Sequence, residues 1–311
     1  MPTADLDQPP GLGGPAPGQA GQAGRAGGSG GVEVRCEGVV HLYRTFAGHD
    51  VVALRGIDLS IAAGERVAFL GPSGCGKSTL LTLLGGIQRP SAGRILLGDE
   101  EISRMGERRL ARVRSGLVST MLQGASRNLL PYATAQQNLT FARLGSSGRD
   151  DLPAPAELLA LVGLTDQRDQ AVSTMSGGQR QRLALACAVS TGPRLLLADE
   201  PTSALGRADR EAVVALLHRI GDDFGTTVVV VTHQAEVAAT FPRTITMKGG
   251  RIGAEGRAGS EYAVVGEEGL LHLPGELVEL WPAGTLVRVE RDGEDRLTIT
   301  RDAAAPDQTP A

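Results

Sequence analysis

The sequence predicts an α/β protein, with buried strands alternating with helices, two antiparallel strands in front and a small β-rich unit behind. Three observations carry that expectation. Short apolar runs at Arg66–Leu70, Arg194–Asp199 and Thr227–Val231 each stop abruptly at glycine or polar residues, as buried strands do. Residues 71–79, directly after the first run, read Gly-Pro-Ser-Gly-Cys-Gly-Lys-Ser-Thr and lead into the helical stretch Thr79–Leu84. That is the phosphate-binding pattern GxxxxGK[ST] in its strand–loop–helix setting. Beyond residue 260 the apolar residues alternate in short runs, a period-two pattern.

Taken in order, residues 1–31 are rich in Gly, Pro, Ala and Gln. Such a segment buries too little apolar surface to offset its ordering entropy and is expected to be disordered. Order is expected from Val32, where Val32, Val34 and Cys36 alternate with polar residues. Leu54, Ile57, Leu59 and Ile61 form a second run after a turn near His49-Asp50; both runs read as antiparallel strands. In the phosphate loop, glycines let successive N–H groups face an anion, and the following helix adds its positive end. Lys77 is placed to reach β- and γ-phosphates, and Ser78 to offer a hydroxyl to Mg²⁺. A nucleoside triphosphate is the expected ligand.

Composition bounds the rest. The chain has 311 residues, 41 % of them apolar, and a formal net charge of −4. That is enough for a core and gives no overall signal for nucleic acid. Lys77 and Lys248 are its two lysines, the remaining basic side chains being arginine. Cys36, Cys75 and Cys187 are too few and scattered for a disulfide framework, which fits a reducing cytosol. No run approaches the about 18–20 apolar residues of a membrane span, and no basic-then-apolar leader opens the chain. The expectation is a soluble, intracellular protein that meets a membrane only through a partner.

Four further motifs follow in fixed order: Gln123 after the strand-like Leu117–Leu122, Ser176-Gly177-Gly178-Gln179 at the head of a helix, Asp199-Glu200 ending an apolar strand, and Thr232-His233 ending another. Singly, each has an ordinary structural reading: a Ser-Gly-Gly loop, a solvated Gln, a structural His. Together with residues 71–79, across about residues 32–255, they closely resemble the ATP-binding-cassette (ABC) ATPases. The resemblance implies a P-loop ATPase core with an antiparallel β-subdomain and a helical subdomain. It makes Gly71, Pro72, Ser73, Gly74, Cys75, Gly76, Lys77, Ser78 and Thr79 the Walker A loop and Ser176–Gln179 the signature. Tyr43 matches the aromatic that stacks on adenine, although from its own context it could be a core or surface tyrosine. Asp199, Ser78 and Gln123 are implied Mg²⁺ contacts. Glu200 is the general base or water-orienting group, and His233 the contact to the γ-phosphate. Ser176 and the Gly178 backbone would bind the γ-phosphate of ATP held by a second subunit, so each complete site needs two chains. The implied partners are that second ATPase, identical or different, and transmembrane permease subunits. Nucleic acid is not expected. The implied location is the cytoplasmic face of the cell membrane.

Leu84-Gly85-Gly86-Ile87 and Arg127–Tyr132 resemble the lipoprotein-release, macrolide-export and cell-division branch (LolD, MacB and FtsE types). Leu129, Leu130, Pro131 and Tyr132 are candidates for exposed contact with a membrane subunit, or else they pack the helical subdomain. Arg108, Arg109, Arg112 and Arg114 read as a solvated helix face, with phospholipid proximity the lesser alternative. The chain departs from the pattern at Gly206, where the family has Asp, at Cys187, where an Arg is usual, and at Met175, where a Leu is usual. Gly206 leaves nucleotide binding intact and puts rate or site-to-site coupling in doubt. Cys75 reads as a small neutral filler, a reactive thiolate being the alternative.

The expected organisation is a tail over residues 1–31, an ATPase domain over 32–258, a small module over 259–303 and a second tail over 304–311. A hinge is expected at Gly256–Ser260, a helical turn at Glu276–Leu280, and a hairpin from Val287 and Val289 through Asp292-Gly293 to Leu297 and Ile299. This order is similar to AbrB-type swapped-hairpin domains, which fold as intertwined dimers; about forty residues bury no core alone. Those domains often bind DNA, but ten acidic residues against four arginines over 261–302 oppose phosphate contact. A dimerising or regulatory module is the expectation. For the whole chain it is the ATPase subunit of a membrane ABC transporter. Alternatives are an FtsE-like regulator that transports nothing and, further off, a soluble ABC ATPase of DNA repair or translation.

Overall fold

The computed structural model describes residues 30–44, 49–144, 152–257, 260–264, 271, 281, 285–293 and 296–301. The expected N-terminal tail, the helical turn at 276–280 and the C-terminal tail lie outside the described residues.

Seven strands form the main sheet in the order β11 (Ser260–Ala263), β10 (Arg251–Arg257), β9 (Arg243–Lys248), β3 (Arg66–Leu70), β8 (Thr227–Thr232), β7 (Leu195–Asp199) and β6 (Val118–Met121). From β9 to β6 neighbouring strands run parallel, and β10 and β11 add antiparallel edge strands. The run of four valines in β8 follows from burial on both faces. Val228 and Val230 join one core with Leu183, Leu185 and Leu217, while Val229 and Val231 join the other with Leu80, Leu84 and Phe69.

The two expected N-terminal strands are β1 (Val34–Arg44) and β2 (Asp50–Ile61), and they pair antiparallel as the alternation required. With β4 (Ala92–Leu97) and β5 (Glu100–Glu101) they make a second, four-stranded sheet. Val32 is already buried, and the Gly31 N–H donates to Gly225 O at 2.7 Å. The helices are α1 (Lys77–Leu84), α2 (Glu107–Gly116), α3 (Ala135–Ala142), α4 (Pro155–Leu161), α5 (Gly177–Val189), α6 (Arg207–Phe224) and α7 (Ala235–Ala238). The arginine run of α2 faces solvent, with Arg109 paired to Glu100.

Two expectations are corrected. The hinge expected at 256–260 is overturned by strand pairing: Gly256 pairs with Glu261 and Arg257 with Ser260, which adds β11 to the sheet edge beside β10. A buried ion network fixes that edge, because Arg243 donates to Glu255 at 2.9 Å, to Glu65 at 3.1 Å and to Ser60 O at 2.8 Å. Leu129 is not an exposed contact residue; it is buried with Leu139 and Leu183, whereas Tyr132 stands 79 % exposed. The expected C-terminal hairpin is present as β12 (Val287–Arg291) and β13 (Leu297–Arg301) around Asp292-Gly293. Its register puts Val287, Val289, Leu297 and Ile299 on one face.

Candidate active site

Strands β3, β8, β7 and β6 are consecutive parallel neighbours. The loops leaving their carboxyl ends carry, in that order, residues 71–79, His233, Asp199-Glu200 and Gln123. Four motifs scattered over more than half the chain therefore share one sheet edge, each about 4.8 Å from the next.

The loop after β3 is shaped by glycines that tolerate no substitute. Gly76 has φ 104°, and a Cβ there would lie 2.6 Å from Ala53 O; a Cβ on Gly71 would overlap Met247 O. Helix α1 starts at Lys77 with no side-chain cap, which leaves its first N–H groups for a ligand. Lys77 is buried and its Nζ donates to Gly71 O at 2.7 Å and Pro72 O at 2.9 Å, folding the ammonium back across the loop. Cys75 is buried with its Sγ 3.9 Å from that ammonium.

Ser78 Oγ donates to Asp199 Oδ1 at 3.1 Å, joining α1 to the end of β7. Burial pushes the Asp199 carboxyl above its ordinary range and the neighbouring Glu200 charge adds to this, while Ser78, Lys77 and Arg127 act in the opposite sense. Two adjacent carboxylates with so few compensating cations favour a bound cation. Glu200 is buried and adopts φ 47°, a left-handed conformation unusual for a side chain with a Cβ. Its N–H donates to Val231 O, and its Oε1 lies 2.8 Å from His233 Nδ1. The strained turn aims the carboxylate toward the half-exposed imidazole at the end of the neighbouring β8.

Gln123 is exposed. The backbone on either side of it is held by Asn128, which accepts from Leu122 N and donates to Leu122 O at 2.8 Å and Gly124 O at 3.0 Å. Tyr43, next to last in β1, has its hydroxyl 2.9 Å from Gln88 Oε1 and 3.3 Å from Thr79 Oγ1, and its ring edge-on to His41. That places an accessible aromatic face beside the helix that starts at Lys77.

Ser176–Gln179 is drawn elsewhere. Ser176 Oγ accepts from Gln179 N at 3.2 Å and Gln179 Oε1 accepts from Ser176 N at 2.8 Å, a closed capping box at the head of α5. Buried Gln181 donates to Pro201 O, and the Gly178 Cα lies against Asp209 of α6. A cleft of about 420 Å³ runs between Gly124, Leu129, Gly177, Gln181 and Leu205. Among the described residues no hydrogen bond joins 176–179 to 71–79, so one chain brings together the loop, the two carboxylates, His233 and Gln123, and leaves the Ser-Gly-Gly turn apart.

Residues 54–203 match the family model "ABC transporter". An uncharacterized ABC transporter ATP-binding protein of Thermotoga maritima is 41 % identical over 214 residues, 68 % of this chain and 90 % of that protein. The chain belongs to the ABC transporter ATP-binding family. The lipoprotein-releasing system ATP-binding protein LolD 2 of Caulobacter vibrioides is 39 % identical over 69 % of this chain and 94 % of its own length. An aliphatic sulfonates import ATP-binding protein, SsuB of Rhodopseudomonas palustris, is 42 % identical over 68 % of this chain and 70 % of its own length. A solved dimer of the ATP-binding cassette MJ0796, bound to ADP and Pi after hydrolysis, superposes with a TM-score of 0.65 at 30 % identity, covering 72 % of this chain and 98 % of that one. This chain is thus an ABC ATPase with the cassette fold, of the type that serves membrane transporters. Among the described residues no helix is long and apolar enough to cross a membrane.

Sequence reasoning missed Gln181, Asp209 and Arg243, and it placed Asn128 in the 127–132 motif without its hold on the backbone around Gln123. Each matters through a contact made only in three dimensions.

Proposed function

We propose that this chain couples ATP hydrolysis to separate transmembrane subunits of the lipoprotein-release or export type, working as a head-to-tail pair of cassettes. The observation that supports it most is the separation just described: the phosphate loop and carboxylates share one edge, while Ser176–Gln179 stands apart, capped and facing outward. A second chain, identical or different, then supplies Ser176 and Gly178 to the nucleotide held by the first. Residues 71–79 wrap the phosphates, Lys77 releases its carbonyl partners to meet the β- and γ-oxygens, and Tyr43 stacks on the adenine. Glu200 takes or orients the proton of the attacking water, whose oxygen bonds to the γ-phosphorus as the bond to the β,γ-bridging oxygen breaks. His233, linked to Glu200, touches the γ-phosphate and registers its loss. Ser78, Asp199 and Gln123 would hold Mg²⁺, which when bound neutralises charge building on the phosphate oxygens.

The branch reading rests on 84–87 and 127–132 and on the likeness to LolD 2; the likeness to SsuB supports a transporter without fixing the branch. Gln123 and exposed Tyr132 offer the surface for the membrane subunit, and attachment to the cytoplasmic face follows from that partner. Residues 259–303 serve as a dimerising or regulatory module of AbrB type, a reading supported by the apolar face of β12 and β13. Tagged Glu200→Gln, purified with ATP from solubilised native membranes, tests the whole. It is expected to lose at least about a hundredfold in turnover and to retain a membrane protein of few spans with a large extracellular domain. A multi-span importer would overturn the branch, and nucleic acid without a membrane protein would overturn the transporter.

A further inference from the structure

The two glycines at the head of α5 differ sharply in surroundings. A Cβ at Gly177 would meet nothing within 4 Å, whereas one at Gly178 would overlap the carboxyl carbon and both oxygens of Asp209. Asp209 lies in the first turn of α6 and supplies that turn's acidic group, while Gly206, in the capping position just before the helix, brings no side-chain cap. The first turn of α5 has no acidic residue of its own. One carboxylate therefore lies against the positive ends of two helices, where negative charge is favoured. Its neighbours do not neutralise it: Arg207 pairs with Glu211 and Arg210 with Glu236. Asp209 itself makes no hydrogen bond or ion pair among the described residues.

We propose that Asp209 is an electrostatic gate on nucleotide-driven pairing. As an internal counter-anion it occupies the field at the head of α5 and repels the phosphate that must arrive there, so closure requires more ATP than it otherwise would. This rests on the reading that Ser176 and Gly178 receive the γ-phosphate of a second chain. Asp209 acts through charge on the Gly178 turn and is a positioning residue, not a catalytic one. A carboxylate in van der Waals contact with Gly178 cannot be far from a phosphate bonded to that residue's N–H, well inside the Debye length.

The full-length Glu200→Gln protein provides the test, because its ATP-dependent pairing can be followed by sedimentation without turnover. Asp209→Asn keeps the shape against Gly178 and removes the charge. It is expected to lower the ATP concentration for half-maximal pairing by about fivefold to tenfold at low salt, with the difference shrinking in about 0.5 M salt. Asp209→Ser serves if the amide variant melts early. Asp223→Asn makes the same charge change at the far end of α6 and is expected to shift pairing by less than about twofold. A salt-independent shift, a shift below about twofold, or an equal shift from Asp223→Asn overturns the gate. Failure of Glu200→Gln itself to pair at saturating ATP, with the phosphate loop still binding nucleotide, overturns the two-chain site and the gate with it.

Discussion

The carboxyl edge of the main sheet and the C-terminal hairpin are built on opposite terms. At the edge, the carboxylates and His233 are backed by buried strands: Asp199 ends fully buried β7, Thr232 ends fully buried β8 just before His233, and Glu200 is itself buried. In the hairpin, Val287, Val289 and Leu297 are 40 %, 57 % and 65 % exposed, and two strands alone are marginally stable in water. The edge can hold charged groups in strained geometry because burial elsewhere stabilises them. The hairpin has no such reserve, and its apolar face stands open to solvent.

Three perturbations break or sharpen that contrast. Arg243→Ala should act most strongly, costing about 3–5 kcal/mol because it strands Glu65 and Glu255 without their buried partner; urea unfolding followed by circular dichroism measures it. Burial alone would raise the Glu255 carboxyl, yet hydrogen bonds and charge from Arg243 and Arg257 hold it below the usual range. Its contribution is therefore present above the ordinary glutamate range and fades as pH falls through the lowered value. The acid limb of the stability–pH curve should flatten in the variant. Asn128→Ala should cost about 1–3 kcal/mol by freeing the backbone around Gln123, and ATP turnover measured with the membrane subunits should fall more than turnover measured alone. Leu297→Ser should leave cassette melting within about 0.5 kcal/mol, while reducing any pairing of full-length chains without nucleotide. An unchanged sedimentation profile would remove the dimerising role from the hairpin.

The same contrast explains what was legible in the sequence. Buried strands and glycine loops are local in cause: Arg66–Leu70, Thr227–Val231 and residues 71–79 declare themselves by apolarity and by the φ that Gly76 needs. The order of motifs then supplied the family. Leu129 was misread because apolar residues beside Pro131 look alike in sequence whether they face a partner or the core, and packing against α3 and α5 decides between them. The hinge at 256–260 was misread because glycine and polar residues such as Gly256 and Arg257 sit in a paired edge strand as readily as in a linker. Asp209 and Arg243 had no legible signal, since Asp209 meets Gly178 thirty-one positions away and Arg243 joins Glu65 and Ser60, nearly two hundred positions away, to Glu255 on the next strand.

Glu200 sits where two selective demands diverge. A residue with a Cβ held at φ 47° carries a penalty of about 1–2 kcal/mol that glycine escapes. Glu200→Gly would relieve that backbone and, in the same change, discard the carboxylate that meets His233 Nδ1. In this turn the least strained residue and the one that reaches the imidazole are not the same residue.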